Sequence, residues 1–254
     1  MPLSKDEIYE LLETKYDLFN RVSFIDDDPI SIPHLFENKH DIEIAGFLSA
    51  TIAWGQRKTI IKNAQKLVEL MDMAPYQFVM EHTPKDLKRF NDFKHRTFNG
   101  ADAQYFITAL HHIYQNHHGL EQVFTTHAQN MQQGIAYFKS VFFEIDHPNR
   151  TQKHVSDPLK NSAAKRINMF LRWMVRKDNR GVDFGIWETI DSSHLMCPLD
   201  LHSGNVARKL GLLTRTQNDW KAVVELTDYL KNMDSNDPVK YDFSLFGLGV
   251  FEKF

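Results

Sequence analysis

The chain carries a single cysteine, Cys197, in 254 residues. That excludes an internal disulfide framework and any four-cysteine zinc or iron–sulfur site built from this chain alone, and it fits a reducing cytoplasm. No run of about 18 apolar residues occurs, so no membrane partner is expected. The opening Met1-Pro-Leu-Ser-Lys-Asp-Glu has no apolar signal region, and the chain reads as soluble. A basic excess is also lacking: 30 lysines and arginines against 33 acids leave a net charge of −3, which offers no global basic field. Internal repeats and low-complexity tracts are absent. What remains is 42% hydrophobic and 12% aromatic, enough to bury a sizeable core as one large domain or as two lobes.

The apolar residues recur at helical spacing almost throughout. Ile8, Leu11, Leu12 and Tyr16 predict a helix over residues 3–20. A loop follows, broken by Asp26-Asp-Asp-Pro29 and Ile32-Pro33, and a long apolar helix starts at Asp41 with Gly55 as its expected end. Ile60, Ala64, Leu67, Val68 and Met71 predict another helix over 59–73, and later stripes centre on Tyr105, Phe106, Leu110 and Ile113, then on Ile135, Phe138 and Phe142. The stretch from His147 to Pro158 reads as a polar connection, so any division into lobes is expected near 145–160. The last helices are expected at 219–231 and from Asp237 onward, with Pro238 in a first turn. The expected fold is all-α, with residues 1–254 forming one multi-helix unit.

Charge is concentrated in one place. Between Lys165 and Arg180 lie six cations (Lys165, Arg166, Arg172, Arg176, Lys177, Arg180) against one acid, Asp178, and Arg208, Lys209 and Arg215 follow. Such a run is either a solvated helix face or a place for a phosphate backbone to dock. At 100° per residue, Ala163, Ile167, Phe170, Leu171 and Met174 share one side of the helix, and Lys165, Met169, Arg172 and Arg176 form a stripe on the other. Neighbouring guanidinium groups and partial burial would both disfavour an ammonium at Lys165, leaving the neutral amine that Schiff-base chemistry requires. A solvated lysine in a first helical turn is the alternative.

Asp200 follows Pro198-Leu199 and precedes Val206, Leu210 and Leu213, which makes it a natural helix N-cap. A capped, helix-terminal carboxylate stays ionised, as a group that stabilises a cationic sugar transition state must. Capping and catalysis are therefore compatible.

The segment Pro198-Leu-Asp-Leu-His-Ser-Gly-Asn-Val-Ala-Arg-Lys-Leu-Gly-Leu212 resembles the region of the helix-hairpin-helix DNA glycosylase superfamily that carries its catalytic aspartate, with Asp200 in that place. Ile44-Ala-Gly-Phe-Leu-Ser-Ala-Thr-Ile-Ala-Trp-Gly-Gln-Arg-Lys58 resembles that superfamily's Leu-Leu-Ser-x-Gln helix, with Gln56 as the nearest glutamine. The Leu-Pro-Gly-Val-Gly hairpin and the iron–sulfur cysteines are missing. The branch most similar is the archaeal 8-oxoguanine glycosylase/lyases, which Lys165 and Asp200 resemble in order and in their separation of 35 residues. Over nearly its full length the chain also resembles the bacterial family designated domain of unknown function 2400, through Lys165-Arg-Ile-Asn-Met-Phe-Leu-Arg-Trp-Met174 and Asp237-Pro-Val-Lys-Tyr-Asp-Phe243.

The glycosylase resemblance implies a two-lobed helical architecture and a base-lesion glycosylase with β-lyase activity on damaged double-stranded DNA. Lys165 would be the nucleophile and Asp200 the electrostatic partner, with no metal or organic cofactor. Arg172, Arg176, His202, Arg208 and Gln56 would meet the nucleic acid; Trp54, Trp173 and Asp237 would form the base pocket, with Tyr241 and Asp242 as further lining residues. Tryptophans in such positions are more often core residues. Two rival classes stay open. One is a non-catalytic helical nucleic-acid-binding or adaptor protein. The other is a metal-dependent phosphohydrolase, suggested by 13 histidines, including His111-His112 and His117-His118, with Asp102 and Glu121 nearby. These histidines match no His-Glu-x-x-His pattern.

Overall fold

A computed structural model describes residues 3–254, and they are mostly helical. Helix α1 (Lys5–Phe19) begins at a capping box in which Ser4 accepts from the Glu7 amide and Glu7 accepts from Ser4. The chain then passes through short 3₁₀ turns, where Pro29 and Pro33 each start a turn because a proline needs no amide partner at that position. Helices α2 (Lys39–Thr51), α3 (Arg57–Leu70), α4 (Pro75–Glu81) and α5 (Pro84–Leu87) follow. A two-residue antiparallel pair, β1 (Lys94–His95) and β2 (Phe98–Asn99), precedes α6 (Gly100–Asn116), α7 (Leu120–Thr125) and α8 (Met131–Phe142). After further 3₁₀ turns come α9 (Lys165–Val175), α10 (Leu201–Lys209), α11 (Trp220–Lys231) and α12 (Tyr241–Val250).

These elements form two compact units. One comprises Ile25–Ser156. The other joins residues 3–24 to Asp157–Phe254, so the chain leaves this unit after α1 and re-enters it before α9.

In the Ile25–Ser156 unit, α2 is buried on every side from Ile42 to Thr51, as a helix apolar all round must be. It ends at Thr51 rather than at Gly55. Its Phe47 meets Phe106 of α6 and Phe138 and Phe142 of α8 at ring-centroid distances of 5.4–5.7 Å. Burying each such ring contributes roughly 1.5–3 kcal/mol. Glu43 of α2, buried in this unit, accepts from the Tyr114 hydroxyl at 2.6 Å and lies 3.0 Å from Nδ1 of His40, so its carboxylate is buried with partners.

In the other unit, α1 packs on α12 through Ile8, Leu12 and Tyr16. Gly247 is required there, because a Cβ at that position would lie 2.1 Å from the Phe19 ring. Helix α9 is buried along its whole length from Ile167 to Val175, on both of the sides that the sequence separates. The cationic stripe therefore does not face solvent beyond its first turn.

Candidate active site

Lys165 opens α9 and Asp200 caps α10. Their side chains meet, with Lys165 Nζ 3.8 Å from Asp200 Oδ2, and each retains about a quarter of its exposure, 26% and 23%. The pair is held together yet open to solvent.

Each partner is positioned by local chemistry. Asp200 Oδ1 accepts from the amides of His202 (2.8 Å) and Ser203 (3.0 Å) and from the Ser203 hydroxyl (3.1 Å), while Ser203 Oγ accepts from the Asp200 amide. This capping box fixes one carboxylate oxygen and leaves the other facing Lys165. On the lysine side, Nζ also approaches Met169 Sδ at 3.6 Å, one turn along the same helix. Ala164, the residue before Lys165, sits in the left-handed region at φ 46° with no side-chain cap bond. A non-glycine residue held there costs about 1–2 kcal/mol, so the entry of α9 is strained.

A dipeptide that sequence reasoning missed ties both lead-in segments together. Asn218 donates to the Asp200 carbonyl at 2.9 Å and accepts from Arg208 at 2.6 Å. Asp219 caps α11, accepts from Asn161 at 2.9 Å and pairs with Arg215; the Arg215 guanidinium holds its carboxyl well below the usual carboxylate range. Asn161 in turn accepts from the Trp220 amide and lies four residues before Lys165. Gly204 permits this arrangement, since a Cβ there would sit 2.8 Å from Asn218 Oδ1. The available signal was the Asn-Asp pair just before an apolar helical run, which marks an N-cap.

The arginines of the stripe have a different fate. Arg172 is 3% exposed and Arg176 fully buried. Arg172 donates to Asp183 at 3.2 Å and to Asp242, and its guanidinium lies 4.2 Å from the centroid of Phe243. Arg176 donates to Asp237 at 2.9 and 3.1 Å, to Asp183 at 3.0 Å and to the Tyr16 hydroxyl at 2.7 Å, and pairs with Asp178 at 2.8 Å. These carboxylates compensate the cost of taking the guanidinium groups out of water. Phosphate contacts expected of Arg172 and Arg176 are thus replaced by internal ion pairs. Burial pushes the Asp242 carboxyl up to about 6 although Arg172 and Lys165 oppose it. Burial likewise raises Asp237 against the pull of Arg176.

The remaining sequence candidates fall in separate places. His202 is exposed beside Asp200; Arg208 is half-buried and donates to the Arg215 carbonyl at 2.8 Å as well as to Asn218. Trp173 is fully buried with its indole nitrogen unpartnered, so it belongs to the core. Tyr241 is buried and donates to Glu13 at 2.5 Å. Trp54 and Gln56 belong to the Ile25–Ser156 unit; Trp54 is half-buried edge-on to His95 and stacked on His154, and Gln56 is exposed at the start of α3. The lone thiol, Cys197, is buried, which raises it well above the usual range and makes it a poor nucleophile. Among the described residues no helix is long and apolar enough to cross a membrane.

The chain belongs to the protein family of unknown function DUF2400, which it matches over residues 28–251. No curated protein and no solved structure matches it significantly.

Proposed function

We propose that the chain is a base-lesion DNA glycosylase with β-lyase activity, working through a Schiff base at Lys165 with Asp200 as its electrostatic partner. The observation that carries this reading is the 3.8 Å approach of Lys165 Nζ to Asp200 Oδ2 at two partly exposed helix starts. The strained Ala164 entry and the Asn218–Asp219 tether support it, because the first costs stability at the lysine's helix start and the second ties the segments that lead into the two side chains.

The chemistry runs in two steps. Once its ammonium proton has passed to solvent, the Lys165 amine forms a bond to C1′ of the sugar as the N-glycosidic bond breaks, its electron pair leaving on the base, which takes up a proton. The Asp200 carboxylate stabilises the positive charge that develops on the sugar. Loss of the amine proton and opening of the sugar ring give the imine. Removal of a C2′ proton then expels the 3′-phosphate by β-elimination. Because Arg172 and Arg176 are engaged internally, DNA contacts fall to groups near the pair. Exposed His202 is one, and Leu201, 65% exposed next to Asp200, supplies an apolar side chain of the kind that enters a base stack.

Duplexes carrying 8-oxoguanine, uracil, an alkylated purine or an abasic site, incubated with the protein, EDTA and borohydride, test the proposal. A covalent protein–DNA complex that disappears in Lys165→Ala is the expected result. Binding with no trapped complex on any of the substrates would favour a non-catalytic nucleic-acid-binding protein instead, and cleavage abolished by EDTA a metal-dependent enzyme.

A further inference from the structure

The doubled histidines fit none of the chemistry above, yet two of them converge. His112 lies in the penultimate turn of α6, and His117 is the residue at which α6 ends, its amide donating to the Ile113 carbonyl at 2.8 Å. Five residues apart, they would not share a face on a continued helix; the chain's departure at His117 turns the second ring back toward the first. Their ring centroids are 5.3 Å apart. Glu144, just past the end of α8, reaches both: Oε2 is 2.8 Å from Nε2 of His112 and 3.0 Å from Nε2 of His117. Three potential ligand atoms thus lie within 4.8 Å of one another, all inside the Ile25–Ser156 unit.

We propose that His112, His117 and Glu144 form a binding site for a divalent first-row transition ion of the zinc class, clamping the end of α6 to the end of α8. Two imidazoles and one carboxylate are a donor set that such ions accept, with a fourth position left to water or to another ligand. Ligand atoms bonded to one tetrahedral ion at about 2.1 Å stand about 3.4 Å apart; the carboxylate–imidazole separations of 2.8 and 3.0 Å need to open only slightly to reach that value, and all three atoms lie within 4.8 Å of one another, so side-chain adjustment admits the ion. The supports are firm. Tyr105 of α6 donates to the Phe142 carbonyl at 2.6 Å and stacks on Phe143, which fixes the residues leading into Glu144. The Asn116 side-chain nitrogen lies 3.0 Å from Nδ1 of His112 and donates to the His112 carbonyl at 3.1 Å, which holds the ring at the end of α6. Histidine and carboxylate side chains exposed by 22%, 25% and 54% give an ion a way in.

The full chain without an affinity tag, stripped with EDTA and dialysed, is titrated with zinc chloride against a chromophoric chelator. One equivalent of Zn²⁺ is expected, its affinity reduced at least tenfold in Glu144→Gln and in His112→Ala and unchanged in His118→Ala, a neighbouring histidine outside the cluster. Zinc should raise the melting temperature of the parent chain and leave that of Glu144→Gln unmoved, while the two proteins melt alike without metal, which separates loss of the site from loss of fold. Failure to saturate at one equivalent, or affinity in Glu144→Gln equal to that in His118→Ala, would overturn the proposal. Both readouts are independent of any action on DNA.

Discussion

The two ends of α9 use the same residue types for opposite ends. At its start, Lys165 meets one carboxylate at 3.8 Å in the presence of solvent; two turns on, Arg172 and Arg176 are buried among Asp178, Asp183, Asp237 and Asp242. An exposed ion pair is worth little, because water screens it and its side chains lose freedom on pairing. A buried guanidinium is different: its net contribution is small while all partners are present, and removing one leaves an uncompensated charge in a poor solvent. The buried end therefore anchors the helix, and the exposed end is available for chemistry.

Breaking the buried end should have the largest effect. Arg176→Ala leaves Asp183 and Asp237 without their shared cation, and unfolding by urea should show a loss of about 3–5 kcal/mol. Next comes a pH effect. With its folded pKa raised from 3.8 to about 6, Asp242 holds a proton in the folded chain that it has lost in the unfolded one, so its contribution to stability falls as pH rises across that window. The fall is on the order of 2–3 kcal/mol. Comparing parent and Asp242→Asn at pH 4 and pH 7 should show this component only in the parent; identical pH profiles would contradict the assignment.

Smaller effects belong to the exposed end. Asp200→Ala removes an N-cap and should cost about 1 kcal/mol by thermal unfolding, with Asp200→Asn recovering most of it, since asparagine also caps. Lys165→Ala should change stability by less than about 1 kcal/mol. A loss as large as that of Arg176→Ala would erase the distinction between the two ends.

Much of the helical framework was legible in the chain. Stripes such as Ile60, Ala64, Leu67 and Val68 place α3, and Ile135, Phe138 and Phe142 place α8, because one-sided burial writes a 3.6-residue period into the sequence. The same period misled for α9. It groups Lys165, Arg172 and Arg176 on one side of the helix, but it cannot say whether water or carboxylates lie opposite, and the carboxylates come from as far away as Asp242. Asp200 as an N-cap was readable from its neighbours, whereas its tether to Asn218 depends on a close approach at Gly204 that only three dimensions reveal. His112 and His117 escaped every ligand motif because their third partner, Glu144, lies 27 residues beyond His117 on another element.

The central claim is that Lys165 is the nucleophile, and the most direct measurement is the position of the covalent bond. Protein reduced with borohydride in the presence of an abasic duplex would be digested and its DNA-bearing peptide sequenced by mass spectrometry. The account predicts a single adduct on the Lys165 side chain, lost in Lys165→Ala and diminished in Asp200→Asn. An adduct on another lysine or on the N-terminal amine, or none at all while the duplex is bound, would contradict it.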